Sequence, residues 1–524
     1  MAEIWVPKRH MQIALDFGMA TPHCSLMLDC GLGKTSVAAT VVRNTLCDEV
    51  KRWLICAPKR VAGKAWPDEF AKWAHLASLK YRLIRAEDFG LTPVFDRSDA
   101  FDPATGEINQ VLRKRGLAFG WDEDDTQAAR RAKALTKKKL QGYREFIHFV
   151  SYDFLPWLVL AYGANWPYDG LVIDESSFIK NMDTRRWRAF RHIRPHLKRC
   201  IELTGTPAPQ GLTDLWSQFF ILDGGERLGR TYTGFRDAHF TPDKRNKQVV
   251  FSWKIDADGK QRIYDAIDDI SLSMDAVDWI DLPAVVPNPI NVELPDEARR
   301  LYDTIEADLI AMYDGGQVIA SNAAVLVGKL LQIASGHVFD DKKVAHQVHT
   351  AKLEALGERL EATAGNLLVA YAYVPDAQAI LKRFGKRATI LDTDKKIDDW
   401  NAGKIRLALA HPASIGHGIN AQGGGNEVLF YTPIYNAEWF YQFCRRLLRQ
   451  GQKADHVIVS CLLAVNTVDS HVWQVPQHKL DEMGGLMQAV DARVRERRAL
   501  GTAETPNLWL PHTELVTTAP SWLD

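Results

Sequence analysis

Residues 26–36, LMLDCGLGKTS, run from an apolar strand through a glycine-bearing loop into Lys34-Thr35 and the helical start SVAATVV. Glycine has no Cβ, so Gly31 and Gly33 let backbone N–H groups converge on phosphate oxygens. The N-terminus of the helix that follows adds positive potential. In such a loop the Lys34 ammonium reaches the β- and γ-phosphates of a nucleotide, and the Thr35 hydroxyl ligates Mg2+. The spacing departs from the strict form GxxxxGK[ST], because Leu28 occupies the place of its first glycine. The strand–loop–helix context therefore carries the reading.

Around that loop, short apolar runs alternate with helix-length stretches in two blocks. The first block reads as strands at 25–28, 52–57, 81–84, 146–151, 170–174 and 200–204, the second at 366–374, 388–391, 405–410, 427–432 and 456–463. Near-continuous β-branched and Leu runs of this kind mark parallel sheets with crossover helices. The expected fold is α/β, two doubly wound parallel-sheet domains in tandem with the functional cleft between them. Boundaries are expected at 1–225 for the first domain, with a charged helical insertion at about 86–144, and at 291–490 for the second. Residues 226–290 read as an inter-domain segment with a small hairpin at FSWKIDADGKQRI (251–263), and 491–524 as a flexible tail.

Composition narrows the setting. Lys+Arg and Asp+Glu both total 65, so no global field draws the chain to a polyanion, and any such partner must be held by local patches. The seven cysteines form no CxxC pair and no Cys/His array, which predicts reduced thiols and no structural zinc. The N-terminal MAEIWVPKRHMQ lacks the apolar core of a signal peptide, and no apolar run approaches the ~20 residues that span a bilayer. A cytoplasmic protein without a membrane partner is expected.

Three further stretches bear on chemistry. GLVIDESS (170–177) ends an apolar strand in two acids. Beside a phosphate loop, Asp174 would hold Mg2+ and Glu175 would orient and deprotonate an attacking water. IELTGTPAPQG (201–211) ends another strand in hydroxyls, Thr204 and Thr206, that can hydrogen-bond the acids of a nucleotide site. QFCRRLLRQGQ (442–452) concentrates three arginines. On one helix Gln442, Arg446 and Arg449 fall at i, i+4 and i+7 on a single face, with Phe443 and Leu447 as an adjacent apolar anchor and Arg445 between.

In order, these segments resemble a Swi/Snf-type helicase-like ATPase of superfamily two (DEAD/DEAH-box-like), in the compact form often carried by phages and prophages. PKRHMQ (7–12) is similar to the adenine-reading Q motif, with Gln12 as base contact. DCGLGKT resembles motif I, ICAPKRVAGKAWPDEFAKW (55–73) motif Ia, VSYD (150–153) motif Ib, DESSFIKN (174–181) motif II and LTGTPAPQGLTDLW (203–216) motif III. Further on, KLLQIASGHV and TAKLEAL resemble the lead into the second domain, and LLVAYAY, HPASIGHGINAQ and QFCRRLLRQGQ resemble motifs IV, V and VI. Leu28, Gln210 and Arg445 depart from the usual Ala, Asn and Asp, but none removes a phosphate-, metal- or water-handling group.

The resemblance implies two RecA-like domains with ATP and Mg2+ in the cleft between them. It makes Gln442 an ATP contact and Arg446 and Arg449 arginine fingers that reach the γ-phosphate from the second domain. Thr204 and Thr206 become coupling residues. Lys59, Arg60, Ser151, Tyr152, Lys180, Gly418 and Asn420 become candidate nucleic-acid contacts. The run TRRWRAFRHIRPHLKR (184–199) reads first as a solvated helix face and second as a DNA-facing element. The implied activity is a DNA-dependent ATPase that translocates on duplex DNA. A phage or host replication or repair protein is a further partner. A strand-separating helicase, the motor of a restriction-type system, or a non-hydrolysing scaffold are the competing readings.

Overall fold

A computed structural model of the chain describes residues 2–89, 138–140, 142–205, 208, 211–246, 249–314, 320–340, 342–415 and 420–474. The core of the charged insertion, Thr206, Gly418 and the tail at 491–524 lie outside the described residues. The chain forms two compact units, the first running to Trp279 apart from 209–211, which fall with the second, and the second otherwise starting at Ile280.

The first unit is built on β1 (His23–Leu28), β2 (Trp53–Ala57), β3 (Tyr81–Ile84), β4 (Ile147–Ser151), β5 (Gly170–Asp174) and β6 (Arg199–Thr204). A hairpin, β7 (Phe240–Asn246) with β8 (Val249–Ile255), precedes a last strand, β9 (Ser271–Met274). The sheet order is β3-β4-β2-β5-β6-β1-β9 and every pairing in it is parallel. All five residues of β2 and all five of β5 are buried, as strands covered on both faces require. Only β6 separates β1 from β5, so the loop after β1 and the acids after β5 emerge at the same carboxyl edge, where open α/β sheets bind ligands.

The second unit contains β10 (Ala284–Val292), a small hairpin of β11 (His337–Phe339) with β12 (Ala345–Gln347), then β13 (Leu367–Ala370), β14 (Ala388–Ile390), β15 (Leu407–Ala410), β16 (Glu427–Phe430) and β17 (His456–Ala464). Its sheet runs β10-β17-β16-β13-β15-β14, again wholly parallel. The helix Ala351–Ala362 is pinned by Lys352, whose ammonium lies 2.5 Å from Asp469 Oδ2, both side chains being fully buried. The α/β class and the tandem parallel sheets match the expectation from sequence.

The stretch read as an inter-domain segment, 226–290, is divided between the sheets. β9 pairs with β1 and closes one edge of the first sheet, while β10 pairs with β17 at an edge of the second. Pro287 and Pro289 within β10 are tolerated because an edge strand can forgo N–H donors. The hairpin also lies earlier than expected. FSWKI belongs to its second strand, and Gly259–Ile267 forms a helix that buries Ile263 and Ile267 one turn apart. The Asp-Gly pair therefore starts a helix and does not turn a hairpin.

Candidate nucleotide site

At the end of β1 the chain turns tightly. Leu32 N–H donates to the Asp29 carbonyl at 3.3 Å, and Gly31 and Gly33 adopt φ of 92° and 77°. A side chain at 33 would be strained by that conformation, and its Cβ would lie 2.5 Å from Met11 Cε. Met11 thus brings the helix Arg9–Ala20 against the loop. That helix also carries Gln12, exposed and donating to Asp16 at 2.7 Å. Asp29 ties the loop to its neighbour: its N–H donates to the Met274 carbonyl at 3.0 Å and its Oδ1 accepts from Cys30 N at 2.6 Å. Lys34 opens the helix Lys34–Thr45 and folds back to donate to the Leu28 carbonyl at 2.6 Å. Gly205 packs beside this ammonium, where a Cβ would stand 3.2 Å from Nζ. Thr35 sits in the first turn of the same helix.

Asp174 closes β5 with 8% of its surface exposed and accepts a 2.8 Å hydrogen bond on Oδ2 from the Trp66 indole. Burial raises its pKa to about 6; the nearby Glu175 charge adds to the rise, while the Trp66 bond and the Lys34 charge oppose it. Glu175 follows in the left-handed region at φ 66° and ψ 67°, held by its N–H to the Leu203 carbonyl at 2.7 Å. Its Oε1 accepts from Ser177 Oγ at 3.0 Å and from Thr204 Oγ1 at 3.3 Å, so Thr204 does meet the acid pair. These donors suit a hard divalent cation. A desolvated carboxylate beside a second acid favours added positive charge, and Thr35 offers a hydroxyl in the helical turn that Lys34 opens.

Two residues that support this pair were not read as such. Trp66 lies within the quoted motif Ia, but nothing linear indicates which acid an indole reaches 108 positions away. Tyr152 was expected to touch nucleic acid and is instead buried. Its hydroxyl lies 2.8 Å from the Asp174 carbonyl and 3.3 Å from that of Glu175, and its ring stacks on Phe178 at 5.1 Å. A phenol enclosed in this way has no face to offer a polyanion.

The other nucleic-acid candidates of the first unit are more open. Lys59 is exposed and Arg60 half-buried after β2, and Ser151 and Lys180 are half-buried. The helix Arg185–Ile193 buries Trp187, Phe190 and Ile193. Two of its cations lie against aromatic faces: Arg186 is 5.4 Å from the Phe178 ring and Arg191 5.7 Å from that of Trp187.

In the second unit, the helix Ala437–Cys444 is capped by the Asn436 side chain and stops before all three arginines. Arg446 N–H donates to the Phe443 carbonyl at 3.0 Å and Leu447 N–H to that of Cys444 at 3.1 Å, a tighter winding than an α-helix. The competitor is Arg446 itself, whose Nε takes the Gln442 carbonyl at 2.8 Å that an α-helical N–H would need. The expected single face of Gln442, Arg446 and Arg449 is therefore corrected. Gln442 and Arg446 are buried, each 4% exposed, and Gln442 donates to Glu438 at 3.3 Å. Arg449 is half-buried and hydrogen-bonds the Asn420 side chain, which joins two residues expected at different ligands. Phe443 and Leu447 are fully buried and form the apolar anchor.

Among known proteins, the SNF2-related domain family matches residues 5–337. "Putative protein p41" of Acyrthosiphon pisum secondary endosymbiont phage 1 is 32% identical over 483 residues, covering 90% of this chain and 95% of that protein. "Uncharacterized ATP-dependent helicase MG018" of Mycoplasma genitalium is 23% identical over 451 residues, 79% of this chain but 41% of that longer protein. Among solved structures, the Sulfolobus solfataricus SWI2/SNF2 ATPase core in complex with dsDNA aligns over 96% of this chain and 98% of its own, at 19% identity and a TM-score of 0.38.

Proposed function

This chain belongs to the SNF2-related family of helicase-like ATPases, and on that premise we propose that its ATP hydrolysis drives movement along double-stranded DNA. The observation that carries the reading is the acid pair on one carboxyl edge with the phosphate loop, with Glu175 held toward Ser177 and Thr204. In this reading Lys34 leaves the Leu28 carbonyl for the β- and γ-phosphates. Glu175 takes the proton of the attacking water, its carboxylate aimed by the two hydroxyls that donate to it. Thr35 and Asp174 would hold Mg2+, which supplies positive charge to the phosphate oxygens when bound. Arg449 serves as the finger that stabilises charge on the transferring phosphate, with Arg446 beside it. Gln12 and Gln442 contact the nucleotide, and Lys59, Arg60, Ser151, Lys180, Gly418 and Asn420 line the path of the DNA backbone. The phage relative supports a phage or prophage origin, and with it action in a bacterial cytoplasm. The name of the Mycoplasma relative favours strand separation as a second reading.

ATPase rates without nucleic acid and with duplex DNA, single-stranded DNA or RNA, beside a Lys34→Ala control, test this. Stimulation by duplex alone is expected. Stimulation by single strands accompanied by strand displacement would favour the helicase, and absence of hydrolysis under every condition would sink both.

A further inference from the structure

Two segments that carry candidate nucleic-acid contacts end on the acid pair. After β2, Lys59 and Arg60 precede a single π-helical turn, Val61–Ala65, which continues directly into the helix Trp66–Lys72. Turns of this type are rare and concentrate at functional sites. Trp66, the residue next in line, is fully buried and donates its indole N–H to Asp174 Oδ2 at 2.8 Å. The second segment is the end of β4. Ser151 is half-buried there, and the adjacent Tyr152 places its hydroxyl 2.8 Å from the Asp174 carbonyl. The Trp66 ring lies 6.3 Å from Phe70 and 6.1 Å from Phe149, and that of Tyr152 lies 5.1 Å from Phe178. Close-packed rings cannot shift without moving their neighbours, and a buried indole or phenol needs its one polar partner. One aromatic holds the Asp174 carboxylate and the other the peptide carbonyls behind it.

We propose that Trp66 and Tyr152 are positioning residues that transmit engagement of a nucleic-acid backbone at 59–60 and Ser151 to the aim of Asp174 and Glu175. The proposal rests on the reading of the chain as a DNA-dependent ATPase. Coupling between two ligands is reciprocal: whatever factor DNA exerts on nucleotide affinity, the nucleotide exerts on DNA affinity. A Trp66 that merely fills the core would affect stability and leave that factor alone.

The test measures the affinity of a labelled duplex by fluorescence anisotropy with and without Mg-ADP, and of a fluorescent Mg-ADP with and without duplex. The chains compared are the wild type, Trp66→Phe and Tyr152→Phe. The wild type is expected to show coupling in the roughly 5–150-fold range usual for communicating sites. In both variants the factor should fall toward one, while each ligand alone binds as in the wild type. Tyr152→Phe deletes one oxygen and keeps the stacked ring, so it decides the matter even if Trp66→Phe does not fold. Full coupling in folded variants overturns the proposal. So does loss of duplex binding without nucleotide, which would place these residues in the DNA surface itself. A wild type without coupling and without duplex-stimulated hydrolysis sinks the underlying reading as well.

Discussion

Glu175 pairs chemistry with backbone strain, and the two can be separated by substitution. Its φ of 66° and ψ of 67° lie in the left-handed region, which costs an L-residue with a Cβ about 1–2 kcal/mol. Glu175→Ala and Glu175→Gly both lose the hydrogen bonds from Ser177 and Thr204, so that loss cancels between them. What remains is the relief of strain in the glycine variant, offset by roughly 0.4–1 kcal/mol of extra freedom in its unfolded chain. Glycine should therefore exceed alanine in stability by about 0.8 kcal/mol. At about 2–4 °C per kcal/mol for a domain of this size class, the melting midpoint of Glu175→Gly should lie roughly 2–3 °C above that of Glu175→Ala. Intrinsic tryptophan fluorescence of the nucleotide-free chain, melted in parallel for the two variants, reads this difference. Neither variant should turn over ATP. Glu175→Gln, which keeps an acceptor for both hydroxyls, should bind nucleotide but also fail to hydrolyse it. A glycine variant no more stable than the alanine variant would refute the strain, and with it the argument that the turn pays in stability to aim its carboxylate.

Three further outcomes are expected. Burial lowers the pKa of His148 to about 4 in the fold, against 6.5 when free, so the unfolded chain binds the extra proton between those values. Stability should fall as pH drops through that window, by about 2 kcal/mol from pH 7 to pH 5, and His148→Phe should flatten the slope in urea titrations at the two pH values. Lys352→Met strands the Asp469 carboxylate in the core and should destabilise the second unit by about 3–5 kcal/mol in urea titration, with Lys352→Met/Asp469→Leu recovering most of the loss. Arg449→Ala should lower turnover on the order of 10³–10⁵-fold while equilibrium binding of ATP and of duplex DNA stays near wild type. An equal loss of turnover in Asn420→Ala would assign the effect to the pair they form and not to the guanidinium at the phosphate.

The strands that were legible in the sequence are those buried on both faces, because their side chains leave continuous apolar runs such as WLICA and LALA. β9 and β10 were missed for the opposite reason. SLSM leaves three of four residues partly or fully exposed, and AVVPNPINV carries two prolines that read as a linker until its edge position is known. At the site, Asp174 and Glu175 could be picked out because they close a recognisable strand, and Lys34 because it opens the helix after a glycine-bearing loop. Trp66 and Tyr152 could not be read there. Their partners are set by the order in which β2, β4 and β5 lie in the sheet, and an apolar pattern does not encode that order.

The end of the motif VI helix shows how a local rule can fail through a single donor. Spacing of i, i+4 and i+7 presumes that each N–H finds the carbonyl four residues back, and Arg446 violates it by giving that carbonyl to its own guanidinium. The backbone then tightens, and Leu447 and Leu448 still reach the core, where both are fully buried. Arg446 is thereby enclosed and bound to its own helix, whereas Arg449 lies past the tightened turn, half-buried and against Asn420. A finger must be able to reach a ligand on another body, and a guanidinium held by its own main chain gives up a donor before it can do so. Of the two arginines that one helical face made equivalent, Arg446 is enclosed in bracing its own turn and Arg449 stays half-buried beyond it, which is why the proposal gives the phosphate to Arg449.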